Sequence, residues 1–146
     1  MRFLLLTVGS AAMLFAGAAQ ADVTADRQAI MKDIGRSVGA IAPMVKGEKP
    51  FDPAVAVAAL EKINDDAAKL DVEKLFPAGS ETGDTEASPK IWENTADFVK
   101  HVDKFKSDAA TAASAKPQDL GGLKTAFQQV AANCGSCHQA YRVKKN

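Results

Sequence analysis

Cysteine is scarce in this chain: its 146 residues include two, and both fall in one run near the carboxyl end. No second pair of Cys or His stands ready to complete a zinc site around them. Charge of one sign is absent too, with 18 basic residues against 18 acidic. That balance gives no support for nucleic-acid binding. The one basic cluster, Arg142, Lys144 and Lys145, is short enough to be a solvated helix end. After the first residues no apolar run is long enough to span a bilayer, so no membrane insertion of the mature chain is expected. There is no internal repeat, no low-complexity segment and no stretch that reads as a strand.

The amino terminus carries a targeting pattern. Met1-Arg2 supplies a positive start, Phe3 to Ala18 is apolar without a charge, and Ala19-Gln20-Ala21 is a small-x-small cleavage site. We expect a secretory signal peptide over residues 1–21 and a mature domain over 22–146. Losing Arg2 leaves 17 basic residues against 18 acidic, a net charge near −1.

Both cysteines belong to Cys134-Gly135-Ser136-Cys137-His138, which has the C-x-x-C-H form of a c-type haem attachment site. On a helix, thiols at this spacing share one face, and each can form a thioether with one vinyl group of a haem. The adjoining His138 can then offer its imidazole to the iron. A thioredoxin-like disulfide would sit at a helix start just after a strand, and no strand precedes this motif. Covalent haem attachment of this kind takes place outside the bacterial cytoplasm, so signal and motif support each other and point to the periplasm.

Four stretches show helical periodicity, spaced as in a bundle. The first runs from about Thr24 to Lys46, with the stripe Met31, Ile34, Val38, Ile41, Val45 and a stop at Gly47. Arg27 lies one turn before Met31, and Pro43 removes a backbone donor near the end. The second opens at Asp52-Pro53 and buries Ala56, Leu60, Ile63, Ala67 and Leu70. A long connection, roughly Asp71 to Ser88, reads either as a crossover covering a cofactor edge or as a solvated loop. The third opens at Ser88-Pro89, with Ile91, Thr95, Phe98, Val102, Phe105, Ala109 and Ala112 on its stripe. The fourth runs from Gln118 or Asp119 to about Lys144, with Leu120, Leu123, Phe127, Val130, Cys134, Cys137 and Tyr141. Both cysteines thus fall on a core-facing seam. The expected fold is all-α: an antiparallel four-helix bundle enclosing one haem.

This pattern resembles the cytochrome c prime family, the class II c-type cytochromes, over essentially the whole mature chain. The likeness is carried by Arg27-Gln28 in the first helix, Pro43-Met44-Val45-Lys46-Gly47 at its close, Pro89-Lys90-Ile91-Trp92, and Cys134 to Arg142. The resemblance implies one haem c held by Cys134 and Cys137, with His138 as an axial ligand. It implies haem contacts from Arg27, Gln28, Asp84 (with Thr85) and Arg142, Arg27 to a haem propionate. It places Met31 at the distal face of the iron, as in the family's low-spin, methionine-ligated members.

Two functions follow from that position. If Met31 ligates, the protein carries electrons to periplasmic redox partners, without enzymatic turnover. If it does not, the iron is five-coordinate and binds nitric oxide or carbon monoxide. Met44 and His101 are weaker ligand candidates: Met44 is expected to pack and His101 to sit at a boundary. Family members are often dimers through the first two helices, which the alanine-rich second helix permits. A peroxidase is disfavoured, since no distal histidine–arginine pair is legible.

Overall fold

Local sequence signals start and stop the helices. The computed structural model describes the backbone of residues 15–144 and the side chains of 23–144. Helix α1 spans Phe15–Val45. The expected targeting segment lies mostly outside the described residues. The helix begins earlier than its apolar stripe because the alanine-rich run before Thr24 favours helix without being amphipathic. It ends as Gly47 expects: Gly47 has φ +79°, its N–H donates to Met44 C=O (3.0 Å), and Glu48 N–H donates to Pro43 C=O (2.8 Å). These two bonds satisfy carbonyls that the last turn leaves open.

Helix α2 spans Pro53–Ala68, with Asp52 Oδ1 accepting from Val55 N–H (3.1 Å). All five residues of its expected stripe are buried. Asp66 is buried on the same helix, held by Lys62 (2.6 Å) and Lys69 (2.7 Å). Burial pushes its carboxyl upward, but the two lysines outweigh that and hold it below the usual range.

The connection that follows is not bare loop. It opens with a single turn, α3 (Val72–Leu75), capped by Asp71. The expected third helix is divided: α4 (Lys90–Glu93) and α5 (Thr95–Ser114) meet at Asn94, whose φ −139° and ψ 58° lie outside the helical region. The stripe continues across the break, with Ile91, Phe98, Val102, Phe105, Ala109 and Ala112 buried. Thr95 is the exception; it is exposed, and its hydroxyl donates to Ile91 C=O (2.9 Å).

Helix α6 spans Leu120–Tyr141, capped by Asp119, whose side chain accepts from Gly122 N–H (2.8 Å). It stops short of the expected Lys144. Arg142 is extended (φ −116°, ψ 134°) because it pairs with Ala87 in an isolated antiparallel bridge. No strand forms among the described residues.

The long helices pack in sequence around a ring: α1 on α2, α2 on α5, α5 on α6. The α1–α6 side is the most sparsely packed of the four. Side chains such as Ile41, Leu60, Ile63, Leu123 and Val130 are wholly enclosed between these helices. The architecture is an all-α four-helix bundle.

Candidate haem site

Cys134 and Cys137 lie one helical turn apart on α6, both half-buried and both free thiols. Cys137 packs against the hydrophobic core. Burial pushes both thiols above their usual pKa, and for Cys137 the neighbouring Cys134 adds to the effect. They are therefore not the activated, low-pKa thiols of redox catalysis. The imidazole of His138 is pushed below its usual pKa by partial desolvation, then by the charge of Arg142, against a smaller upward pull from Glu86. That favours the neutral ring, the form that binds metal.

Polar clamps to α5 fix the rotation of α6 on either side of the motif. Before it, Asn133 is buried and donates to Asp108 Oδ2 (2.7 Å) and to Gln129 C=O (2.9 Å). Gln129 Nε2 also reaches Asp108 (3.2 Å). After it, the buried Tyr141 hydroxyl donates to Asp97 Oδ2 (2.6 Å), and its ring meets Phe98 and His101 edge-on. Tyr141 stood on the expected stripe of the fourth helix, but Asn133, Gln129, Asp108 and Asp97 escaped the sequence reading. Asn133 left a signal: Leu123, Ala126, Val130, Asn133, Cys137 and Tyr141 follow steps of three and four.

The Asp97 hydrogen bond, then burial, pushes the Tyr141 phenol up to about 12 from 10. A phenol pKa raised in the folded state stabilises the fold below 10, and that stability is lost as pH rises toward about 12. Tyr141→Phe should cost about 1–2 kcal/mol at neutral pH. It should also flatten the loss of stability in the alkaline range. Urea unfolding at stepped pH checks both; an unchanged alkaline slope would remove this role.

Arg27 is buried on α1. One Nη donates to Thr24 Oγ1 (2.7 Å) and to Ser80 C=O (2.9 Å), and the guanidinium lies 4.9 Å from the Phe76 ring centre. Its Nε is buried with no hydrogen-bond partner. Gln28 Nε2 donates to Asp84 C=O (2.9 Å), so the Arg27-Gln28 pair fastens the 71–88 connection to α1. Ser80 and Thr85 are buried in that connection. Trp92 Nε1 donates to Phe76 C=O and Pro77 C=O, both at 3.1 Å. The connection is a strap pinned by side chains, not a solvated loop.

Met31 departs from the buried stripe. It is 41% exposed, whereas Met44 is 5% exposed and lies in the core as expected. His101 is half-buried; its Nδ1 lies 3.0 Å from Asp97 C=O, as a boundary residue would. At the end of α6, Arg142 forms an ion pair with Glu86.

The residues fit a haem. Two thiols and an imidazole lie together on α6. The orphaned Arg27 Nε calls for an anionic oxygen, which a haem carboxylate would supply. Among the described residues no group of three or more His, Cys, Asp or Glu could hold a bare metal ion.

A helical bundle whose last helix carries this motif defines a class II c-type cytochrome, with one haem c bonded covalently to the chain. The chain belongs to the cytochrome c prime family: residues 22–142 match the family model described as Cytochrome C'. It is 45% identical over 141 residues to cytochrome c-556 of Agrobacterium fabrum, covering 93% of this chain and 94% of that one. It is 44% identical to cytochrome c' of Rhodopseudomonas palustris across the full length of both chains. Among solved structures, cytochrome c prime from Shewanella frigidimarina superposes with TM-score 0.79 at 35% identity, covering 86% of this chain and 97% of that one. A nitric oxide complex of a variant cytochrome c prime from Alcaligenes xylosoxidans superposes with TM-score 0.75 at 32% identity, over 86% and 97% of the two chains. The protein is a c-type haem electron carrier of this family. No helix among the described residues is long and apolar enough to cross a membrane.

Proposed function

We propose that this protein carries single electrons in the periplasm through a haem whose iron is held by His138 and Met31. The observation that carries this reading is the contrast between two methionines of one helix. Met44 is core filler and is buried; Met31 is held out of the protein core on the same helix, one turn after the buried Arg27. A methionine serving only to pack would be enclosed by other side chains. Haem supplies an iron that accepts and returns one electron. The chain's residues do the rest. Cys134 and Cys137 tether the group, and His138 offers a neutral imidazole. Arg27, with its free Nε, receives a haem carboxylate. Gln28 and Asp84 hold the strap beside that edge. Methionine with histidine raises the reduction potential relative to harder ligand pairs.

The periplasmic location follows from the signal pattern over residues 1–21 together with the attachment motif. Redox proteins of that compartment are the natural partners, and enzymatic turnover has no residues assigned to it. A homodimer, if formed through α1 and α2, would use the shallow groove lined by Arg36, Ala40, Val55, Ala58, Ala59 and Lys62.

The ferric visible spectrum tests the assignment. A low-spin spectrum with a methionine–iron charge-transfer band is expected. Met31→Ala should convert it to high-spin, lower the reduction potential and open the iron to carbon monoxide. Met44→Leu should leave it unchanged. A high-spin wild-type spectrum with unhindered carbon monoxide binding would overturn Met31 ligation in favour of the gas-binding alternative.

A further inference from the structure

The strap between Phe76 and Ser88 touches both helices that carry the proposed axial ligands. Its middle part is tied to α1 through Arg27 with Ser80 and Gln28 with Asp84. Its second half is tied to the end of α6. Ser88 N–H donates to Tyr141 C=O and Val143 N–H donates to Glu86 C=O, both at 2.9 Å, flanking the Ala87–Arg142 bridge. At this rung the Glu86 carboxylate accepts from Arg142 Nε (2.6 Å) and Nη2 (2.5 Å). Arg142 in turn gives its own N–H to His138 C=O (3.1 Å), the closing bond of α6. The residue that ends the turn carrying His138 is thus held by the strap through both backbone and side chain.

We propose that Glu86 is a positioning residue for the proximal face of the haem: by gripping the Arg142 guanidinium it sets where that charge lies relative to His138 and thereby the reduction potential. This rests on the reading of His138 as axial ligand. The pair is half-exposed, with side-chain accessibilities of 44% for Arg142 and 41% for Glu86, so it contributes little to global stability. Its consequence is local and electrostatic. Reduction removes one positive charge from the haem, so an unbalanced cation nearby favours the reduced state.

The test is the midpoint potential of the holoprotein, measured by spectroelectrochemistry, in the wild type, Glu86→Gln, Arg142→Gln and the double variant. Glu93→Gln, the same charge change at an exposed position of α4, is the control. Glu86→Gln should raise the potential, and the same substitution in the Arg142→Gln background should raise it by less than half as much. Glu93→Gln should leave it in place. Amide exchange at Ser88 and Val143 should accelerate in Glu86→Gln while the melting temperature holds. An equal shift in both backgrounds would show Glu86 acting only through its own charge, and an unchanged potential would show it not acting at all; either overturns the proposal. Failure of the underlying reading looks different. A His138→Ala holoprotein with wild-type ferric and ferrous spectra would remove His138 as ligand, and this proposal with it.

Discussion

Replacing Cys134 and Cys137 together with alanine is expected to yield a chain from which all haem is lost on denaturing electrophoresis. The wild type should keep its haem under the same conditions, because thioether bonds survive detergent and heat while axial coordination does not. Each single variant should retain one thioether, with the haem absorption in alkaline pyridine displaced by the one vinyl group left unsaturated. His138→Ala separates the roles: haem stays on the chain, and the spectrum changes. The double variant should also lose much of its thermal stability. A bound group that the native chain holds and the unfolded chain does not contributes its binding free energy to folding. The thiols carry little other burden in the fold that would confuse the result, beyond the packing of Cys137 at the edge of the core. They are half-buried, Cys134 has only a long contact to Val130 C=O (3.7 Å), and no disulfide joins them. Haem staining that persists in the double variant would sink the assignment.

The α6 motif and the helices around it were legible because both depend on local spacing. Asp52-Pro53 opens its helix as expected, the last helix starts at one of the two expected positions, with Asp119 as its cap, and Gly47 ends α1. Periodicity also located most of the core of α2, missing Ala59. It failed where a partner far along the chain decides. Arg142 leaves the helix because Ala87 and Glu86, more than fifty residues earlier, offer it a backbone rung and a carboxylate. Ser80 reads as a loop serine and is buried because Arg27 reaches it. Asn94 interrupts a stripe that is apolar on both sides, and apolar spacing carries no information about one residue's φ and ψ. On α1 the apolar pattern was right about Ile34 and Ile41. Met31 fitted the spacing equally well yet stands outside the buried set, while the polar Thr24, Arg27 and Ser37 are inside it. Hydrophobicity alone ranks these residues in the reverse order. The hydrogen bonds of Arg27 and Ser37 to Thr24, Ser80 and Asp33 explain their burial.

Ile63→Ala is expected to cost about 2–5 kcal/mol of unfolding free energy, the range for truncating an enclosed aliphatic side chain. Ile63 is 0% exposed, on the α2 face between α1 and α5. Its truncation removes contacts that rigid helix backbones cannot close around, so lost transfer energy and a residual cavity add. A native domain of this kind holds about 5–15 kcal/mol in total, so the loss is a large share of it. Val55 on the same helix is the internal comparison. At 39% exposure its truncation to alanine should change stability by about 0.5 kcal/mol or less. The two variants also separate the bundle from the haem. Ile63 is not among the residues expected to touch the haem, so the native visible spectrum should be unchanged while the melting temperature falls. If Met31 is the axial ligand, as proposed, it should leave the iron during melting as the fold opens, while the thioethers hold the haem in place. Loss of the methionine band should therefore track the loss of helix in circular dichroism, at a lower temperature in Ile63→Ala than in the wild type. If the band disappeared well before the helices melted, and at the same temperature in both proteins, the axial bond would be governed by local opening near α1 and not by the bundle that Ile63 stabilises.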